Sequence, residues 1–190
     1  FLLSILAVGI YAFPVGFFIS IYSNDIVFIL LGKNWQYAGM VTAWFSCIVG
    51  FVYLNQICGM TMDSLSEINL KMKIQISMFV ILLILFLIFY PLYGLKGLIV
   101  SFFLTEIIRF IIFSCILPRR LNIKISVSLR LLAYIFAVSL FCGACSFLLK
   151  TLLLAGYTPL LRVVIAGAGF LLAYLSSLLI FISLIRNIAC

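Results

Sequence analysis

"IQISMFVILLILFLIFYPLYGLKGLIVSFFLTEIIRFIIFSCIL", residues Ile74 to Leu117, holds two apolar runs on either side of a Pro/Gly turn. Residues 74 to 95 carry no charge, and Gly97 to Leu117 is equally apolar apart from Glu106 and Arg109. A bilayer core of about 30 Å is crossed by about 20 apolar residues in a helix, so each run is long enough to span. Lipid offers no partner for backbone N–H and C=O groups, which leaves helices or a closed barrel. The unbroken Leu, Ile and Phe runs lack the alternation of a barrel strand and therefore exclude it. The stretch is two membrane helices joined by the tight turn Tyr90 to Gly97.

Outward from this pair, residues 1 to 24, 34 to 62, 131 to 149 and 163 to 185 are also free of charge, which brings the expected spans to six. Of the 190 residues 67% are apolar and only 8% charged, against roughly 25% charged in a soluble domain. The fold class expected is all-α and polytopic, with nothing left over for a soluble domain. The chain begins at Phe1 inside an apolar run, with neither a basic leader region nor a cleavage site, so it reads as a fragment rather than as a signal peptide.

Orientation follows from Lys and Arg in the short loops. Lys71, Lys73, Arg119, Arg120, Lys124, Arg130 and Arg186 fall on one side, and Lys33, Lys96, Lys150 and Arg162 on the other. Both ends of the chain are therefore expected in the cytoplasm. The net charge of +8 follows from this asymmetry and implies no nucleic-acid partner. With no His in the chain, the commonest general base and metal ligand is missing. The Cys142-x-x-Cys145 pair has redox spacing, but its setting among Leu, Phe and Gly favours simple packing. No Gly-rich phosphate loop or nucleophile-base arrangement is present, so the reading is a protein that is not an enzyme and calls for no cofactor and no metal.

Polar residues inside spans are the functional candidates, because they normally face protein or a water-filled cavity. In helix 1, Pro14 and Gly16 predict a kink, either a hinge or a fixed bend. Next, Asn24 or Asp25 is placed to cap a short interfacial segment within residues 24 to 36. Its Ile26 to Leu31 form one or two turns, Gly32 supplies the left-handed stop, and Trp35 and Tyr37 suit the headgroup level. In helix 2, Asn55, Gly59 and Asp63 share one face with Gln56 beside it, as interhelical glue or as cavity lining. The loop "MDSLSEINLKMK", Met62 to Lys73, reads as a solvated turn. On helix 4, Ser101, Thr105, Glu106 and Arg109 fall within about 140° of the circumference, with Glu106 and Arg109 one turn apart. A charge at the bilayer centre costs roughly 2.5 to 3.5 kcal/mol on the insertion scale, so this pair is either a structural ion pair or part of a working cavity. It is the sole buried acid and the sole intramembrane cation of this reading. Gly169, Ala173 and Ser177 form a small-residue stripe on helix 6 that admits another helix closely.

The run from Phe13 to Ile74 resembles polysaccharide flippases of the multidrug/oligosaccharidyl-lipid/polysaccharide exporter superfamily, in particular the branch of lipopolysaccharide, colanic-acid and teichuronic-acid exporters. The likeness lies in a helix proline followed by an apolar segment that ends in Leu-Gly-x-x-Trp-x-x-Ala, here Leu31, Gly32, Trp35 and Ala38. "YGLKGLIVSFFLTEIIRF" is similar to the opening of the family's following helix, and a basic "PRRLNIKIS" loop precedes a final helix pair. The chain departs from the family at Leu65 to Asn69, where a Gly-Arg patch is expected, and no residue is carried over there.

The resemblance implies the C-terminal part of a two-lobe transporter of twelve to fourteen helices. Residues 1–117 would be four helices of that lobe, and 118–190 the basic cytoplasmic loop with the last two helices. Such proteins move polyprenyl-diphosphate-linked oligosaccharide repeat units across the inner (cytoplasmic) membrane by alternating access. The implied partners are that lipid-linked substrate, membrane lipids and the N-terminal lobe of the same chain. Arg109 would meet the diphosphate, Glu106 would tune it or carry a coupling ion, and Thr105, Asn55 and Gln56 would line the cavity. The alternatives are a drug or small-cation exporter of the same superfamily, a membrane-embedded polysaccharide polymerase or transferase, and a purely structural subunit.

Overall fold

The computed structural model describes residues 1–121, 125–153 and 157–189. Six long helices follow one another: α1 (Leu2–Leu31), α2 (Gln36–Ser64), α3 (Ile68–Tyr93), α4 (Leu95–Arg120), α5 (Ile125–Leu148) and α6 (Pro159–Ala189). A 3-10 turn, Lys33–Trp35, joins α1 to α2, and a π-helical stretch, Leu149–Leu153, follows α5. No strand occurs among the described residues. Each helix contains a segment long and apolar enough to cross a membrane. The protein is an all-α polytopic membrane protein, as the uncharged runs predict.

The α3–α4 turn is tighter than the sequence requires. Gly94 alone separates the two helices, with φ at +57°, a backbone region that other residues enter at a cost of roughly 1–2 kcal/mol. Three residues on, Gly97 of α4 lies against the Phe89 carbonyl of α3, where a Cβ would collide.

The segment expected as a separate interfacial turn is built differently. Helix α1 continues without a break through Asn24 and Asp25 to Leu31, so neither residue caps a helix start. Ile26 to Leu31 are the last turns of α1, and the helix stops where Gly32 takes φ +84°, the left-handed stop expected of it. Trp35 and Tyr37 are exposed beyond it. Between Phe17 and Leu31 the sequence has neither Gly nor Pro to break the helix, and the Asp25 side chain faces distant cations, described below, rather than a helix start.

The chain divides into two compact units. Unit 1 comprises Phe1–Ala12 and Ile48–Ile135, and unit 2 comprises Phe13–Cys47 and Phe136–Cys190. Unit 1 is centred on α4, whose Ile99, Ser101, Thr105, Glu106, Phe110, Phe113 and Leu117 are buried at helical spacing. The ring of Phe51 in α2 meets those of Phe103 and Phe110 edge-on, at 6.3 and 5.8 Å between centroids, an arrangement that aligns positive ring edges with negative faces. Only Ile74 and Met78 of α3 are buried. Its Ile76, Phe79, Leu83 and Leu87 are exposed, a surface that hydrocarbon rather than water suits.

Unit 2 is held by aromatic packing. Phe18 lies 5.0 Å from Tyr22 and 4.9 Å from Phe170, ring centre to ring centre. Buried Tyr22 donates its hydroxyl to the Ser146 carbonyl at 3.0 Å. Gly16 faces the Ser46 carbonyl of α2 so closely that a Cβ would clash, which gives this hinge candidate a packing role, and α1 runs on through Pro14. Gly39 lies against the Asn24 side chain, whose amide oxygen a Cβ would displace. Gly169 packs beside Leu149, while the Ala173 and Ser177 side chains of the expected stripe lie outside the described residues.

Candidate functional site

In unit 1 the polar faces of α2, α3 and α4 converge on an open cavity of about 500 Å³. Its polar lining is Asn55, Gln56, Asp63, Lys71, Gln75 and Arg109. Gly59, one turn from Asn55, carries no side chain, and the Lys71 stem packs beside it, with Cε 3.4 Å from where a Cβ would stand. The shared face of Asn55, Gly59 and Asp63 is therefore cavity lining, and Gly59 provides the depth.

The Glu106–Arg109 pair forms as the one-turn spacing predicts. Arg109 Nη1 lies 2.9 Å from Glu106 Oε1, with the Glu106 side chain 3% exposed and that of Arg109 27%. The sequence does not show that Asn55 completes the arrangement. Its Nδ2 donates to Glu106 Oε2 at 2.8 Å and to the Glu106 backbone carbonyl at 3.0 Å. These two acceptors fix which end of the amide is nitrogen. Each carboxylate oxygen is thereby engaged by its own donor, which is what keeps a buried charge tolerable. Asn55 thus serves as interhelical glue and as cavity lining at once, resolving a choice that the sequence leaves open.

Two polar atoms of this cluster remain buried without a hydrogen-bond partner, Asn55 Oδ1 and Arg109 Nε. One accepts and the other donates, and a buried group left unpaired costs about 1–3 kcal/mol. Both sit on residues that line the cavity. A hydroxyl, which donates and accepts, has the chemistry to satisfy either.

Thr105 is placed otherwise. It is buried in α4 with its hydroxyl donating to the Ser101 carbonyl at 2.8 Å, and Ser101 donates in turn to Gly97. Both hydroxyls are absorbed by their own helix, and Thr105 is not part of the cavity lining. The Met62–Lys73 connection, expected as a solvated turn, contributes two lining residues, Asp63 and Lys71, paired at 2.5 Å. It is drawn in because α2 and α3 extend beyond the apolar runs and leave only a short link between them. Glu67 in that link pairs with Arg120 at 3.3 Å. Lys71 and Gln75, four apart on α3, were the missed lining residues, and their helical spacing was the available signal.

Unit 2 holds a second charge cluster, and its buried Asp25 corrects the reading of Glu106 as the sole buried acid. Asp25 is buried, 8% exposed, and lies 3.7 Å from both Lys150 Nζ and Arg162 Nη1. Lys150 also donates to the Ile21 carbonyl and stands 5.1 Å from the Tyr22 ring centre. Arg162 Nε donates to the Tyr157 carbonyl at 2.8 Å. No local spacing announces this triad, because its members lie on three separate helical segments.

The family-motif residues Gly32 and Trp35 line a further cavity of unit 2, of about 500 Å³, together with Asn24, Asp25 and Lys33. Half-buried Ala38 is not part of that lining. Compared with protein-family models, curated proteins and solved structures, the chain finds no match in any of the three.

Proposed function

We propose that the protein translocates a lipid-linked oligosaccharide across the cytoplasmic membrane by alternating access, with the unit 1 cavity receiving the polar headgroup and the lipid tail remaining in the bilayer. The sequence resemblance to polysaccharide flippases motivates this reading. One structural observation carries it: a buried, hydrogen-bonded ion pair opens onto an amide-lined cavity in an otherwise apolar helical unit.

Asn55, Gln56 and Gln75 supply neutral donors and acceptors suited to sugar hydroxyls, and the unpartnered Asn55 Oδ1 and Arg109 Nε fit the same chemistry. Arg109 is the group for the diphosphate. A phosphate oxygen joins Glu106 at the guanidinium during loading, through Arg109 N–H groups that Glu106 does not occupy, Nε among them, so the Glu106 carboxylate keeps both of its partners. A second lobe, contributed by the remainder of a longer chain, closes the other side of the pathway, and the membrane is the bacterial or archaeal inner membrane with both described ends cytoplasmic.

A drug exporter of the same superfamily would present an acidic surface to a cationic substrate. Among the described residues both buried acids, Glu106 and Asp25, already face cations, which favours an anionic or neutral cargo. The deciding experiment expresses the full-length reading frame in a bacterium lacking its polysaccharide flippase and scores surface polymer. Wild type is expected to restore it, and Arg109→Ala to abolish it at equal membrane abundance. Polymer that persists with Arg109→Ala and with Glu106→Ala overturns the proposal.

A further inference from the structure

We propose that Lys150 and Arg162 of unit 2 form a binding site for the phosphate group of an anionic amphiphile, separate from any cargo carried in unit 1. The two side chains line an open cavity of about 460 Å³ whose other walls are Ile21, Phe147 and Thr151. Two cations beside an aliphatic and an aromatic wall match a phosphate head on an apolar tail. The Thr151 hydroxyl is already directed to the Phe147 and Leu148 carbonyls of its own helix, so the charge of the two cations carries the recognition.

Charge balance supports the site independently. Asp25 is the sole acidic residue in the sequence of unit 2, and it faces both cations. One carboxylate against two cations gives the cluster a formal charge of +1, and a phosphodiester monoanion neutralises it. At 3.7 Å the carboxylate holds both cations by charge and lies outside hydrogen-bond distance. Lys150 spends one N–H on the Ile21 carbonyl and carries three, which leaves donors for a phosphate oxygen. Arg162 sits in the first turn of α6, where the helix dipole adds further positive potential.

The backbone points the same way. Lys150 and Thr151 lie in the π-helical stretch Leu149–Leu153, a wide turn that is rare in proteins and found frequently at functional positions. Asp25 Oδ2 is buried and accepts no hydrogen bond, so the carboxylate acts on the two cations by charge alone and competes with a phosphate for them.

The test uses the full chain in maltoside detergent, which contains no phosphate, titrated separately with dioleoyl phosphatidylglycerol, with dioleoylglycerol and with inorganic phosphate. Bound ligand is counted by native mass spectrometry, and thermal stability is followed in parallel. One saturable phosphatidylglycerol is expected, with no response to dioleoylglycerol. Lys150→Gln and Arg162→Gln should each weaken binding by roughly tenfold, the loss of one charge-assisted contact. Lys96→Gln, at an exposed cation of unit 1, should leave it unchanged. Asp25→Asn should tighten binding several-fold, whereas a purely structural ion cluster would give lower stability and no gain in affinity. Arg162→Lys keeps the charge and should retain most of the binding, which guards against misfolding of the neutral variants. Inorganic phosphate that displaces the lipid assigns recognition to the phosphate alone, and failure to displace it assigns recognition to head and tail together. Phosphatidylglycerol binding that survives Lys150→Gln and Arg162→Gln, or that weakens in folded Asp25→Asn, overturns the proposal.

Discussion

The Glu106–Arg109 pair of unit 1 and the Asp25–Lys150–Arg162 cluster of unit 2 solve one problem, an acid buried in an apolar helical protein, in opposite ways. Glu106 takes its cation from the next turn of its own helix at 2.9 Å, and Asn55 occupies its second oxygen. Asp25 recruits one cation from the π-stretch after α5 and one from α6, both at 3.7 Å. The first arrangement is short and saturated. The second is longer and carries surplus positive charge. The contrast teaches that a local pair can secure an acid through short, directed bonds, whereas a long-range cluster can secure it by charge alone and carry a net positive charge.

The largest expected effect strikes the saturated pair. Arg109→Met leaves Glu106 charged and buried, a loss of about 3–5 kcal/mol, and adding Glu106→Gln should recover most of it in thermal unfolding of the detergent-solubilised protein. Glu106→Gln alone should cost less, because the Arg109 side chain retains 27% exposure to the cavity. Equal losses for the two single variants would show that the pair is not asymmetric in the way its burial indicates.

Close helix approach comes next. In Gly97→Ala and Gly16→Ala the new methyl meets a backbone carbonyl, of Phe89 and Ser46 respectively, and forcing such contacts costs about 1–3 kcal/mol. Loss of stability in one but not the other would show which unit relaxes more readily.

Lys150→Met removes one of two cations from Asp25 and should destabilise by roughly 1–3 kcal/mol, less than Arg109→Met because Arg162 remains. If Lys150→Met proves the more costly, the contrast between the saturated and the shared acid is wrong. The smallest effect belongs to Asp63→Asn, whose carboxylate pairs with Lys71 near the cavity rim and is 46% exposed. An exposed pair contributes about 0.2–1 kcal/mol, and raising salt should erase even that.

Much of unit 1 is legible in the sequence. Glu106 and Arg109 could be paired because three residues on a helix is one turn, and Asn55 and Gln56 could be flagged because amides in a span need partners. In unit 2, Gly32 could be given its stop because only a residue without Cβ adopts positive φ cheaply. What escaped were partners that lie far apart along the chain: Asn55 with Glu106, Lys71 and Gln75 in the cavity wall, and the whole of the Asp25 cluster. Thr105 shows the opposite failure. It shares the polar face of α4, yet its hydroxyl bonds to Ser101 one turn back, and helical position alone does not reveal that choice.

Composition and run length alone determined that this chain is built of helices able to cross a membrane, because in hydrocarbon the backbone has to bond within its own segment and about 20 apolar residues are needed to cross. Tertiary structure decided which charges meet. Coulombic and hydrogen-bond partners are set by distance in space, and the carboxylate of Asp25 reaches its cations only after α1 runs on past the point where a cap was expected and α5 widens into the π-turn that carries Lys150.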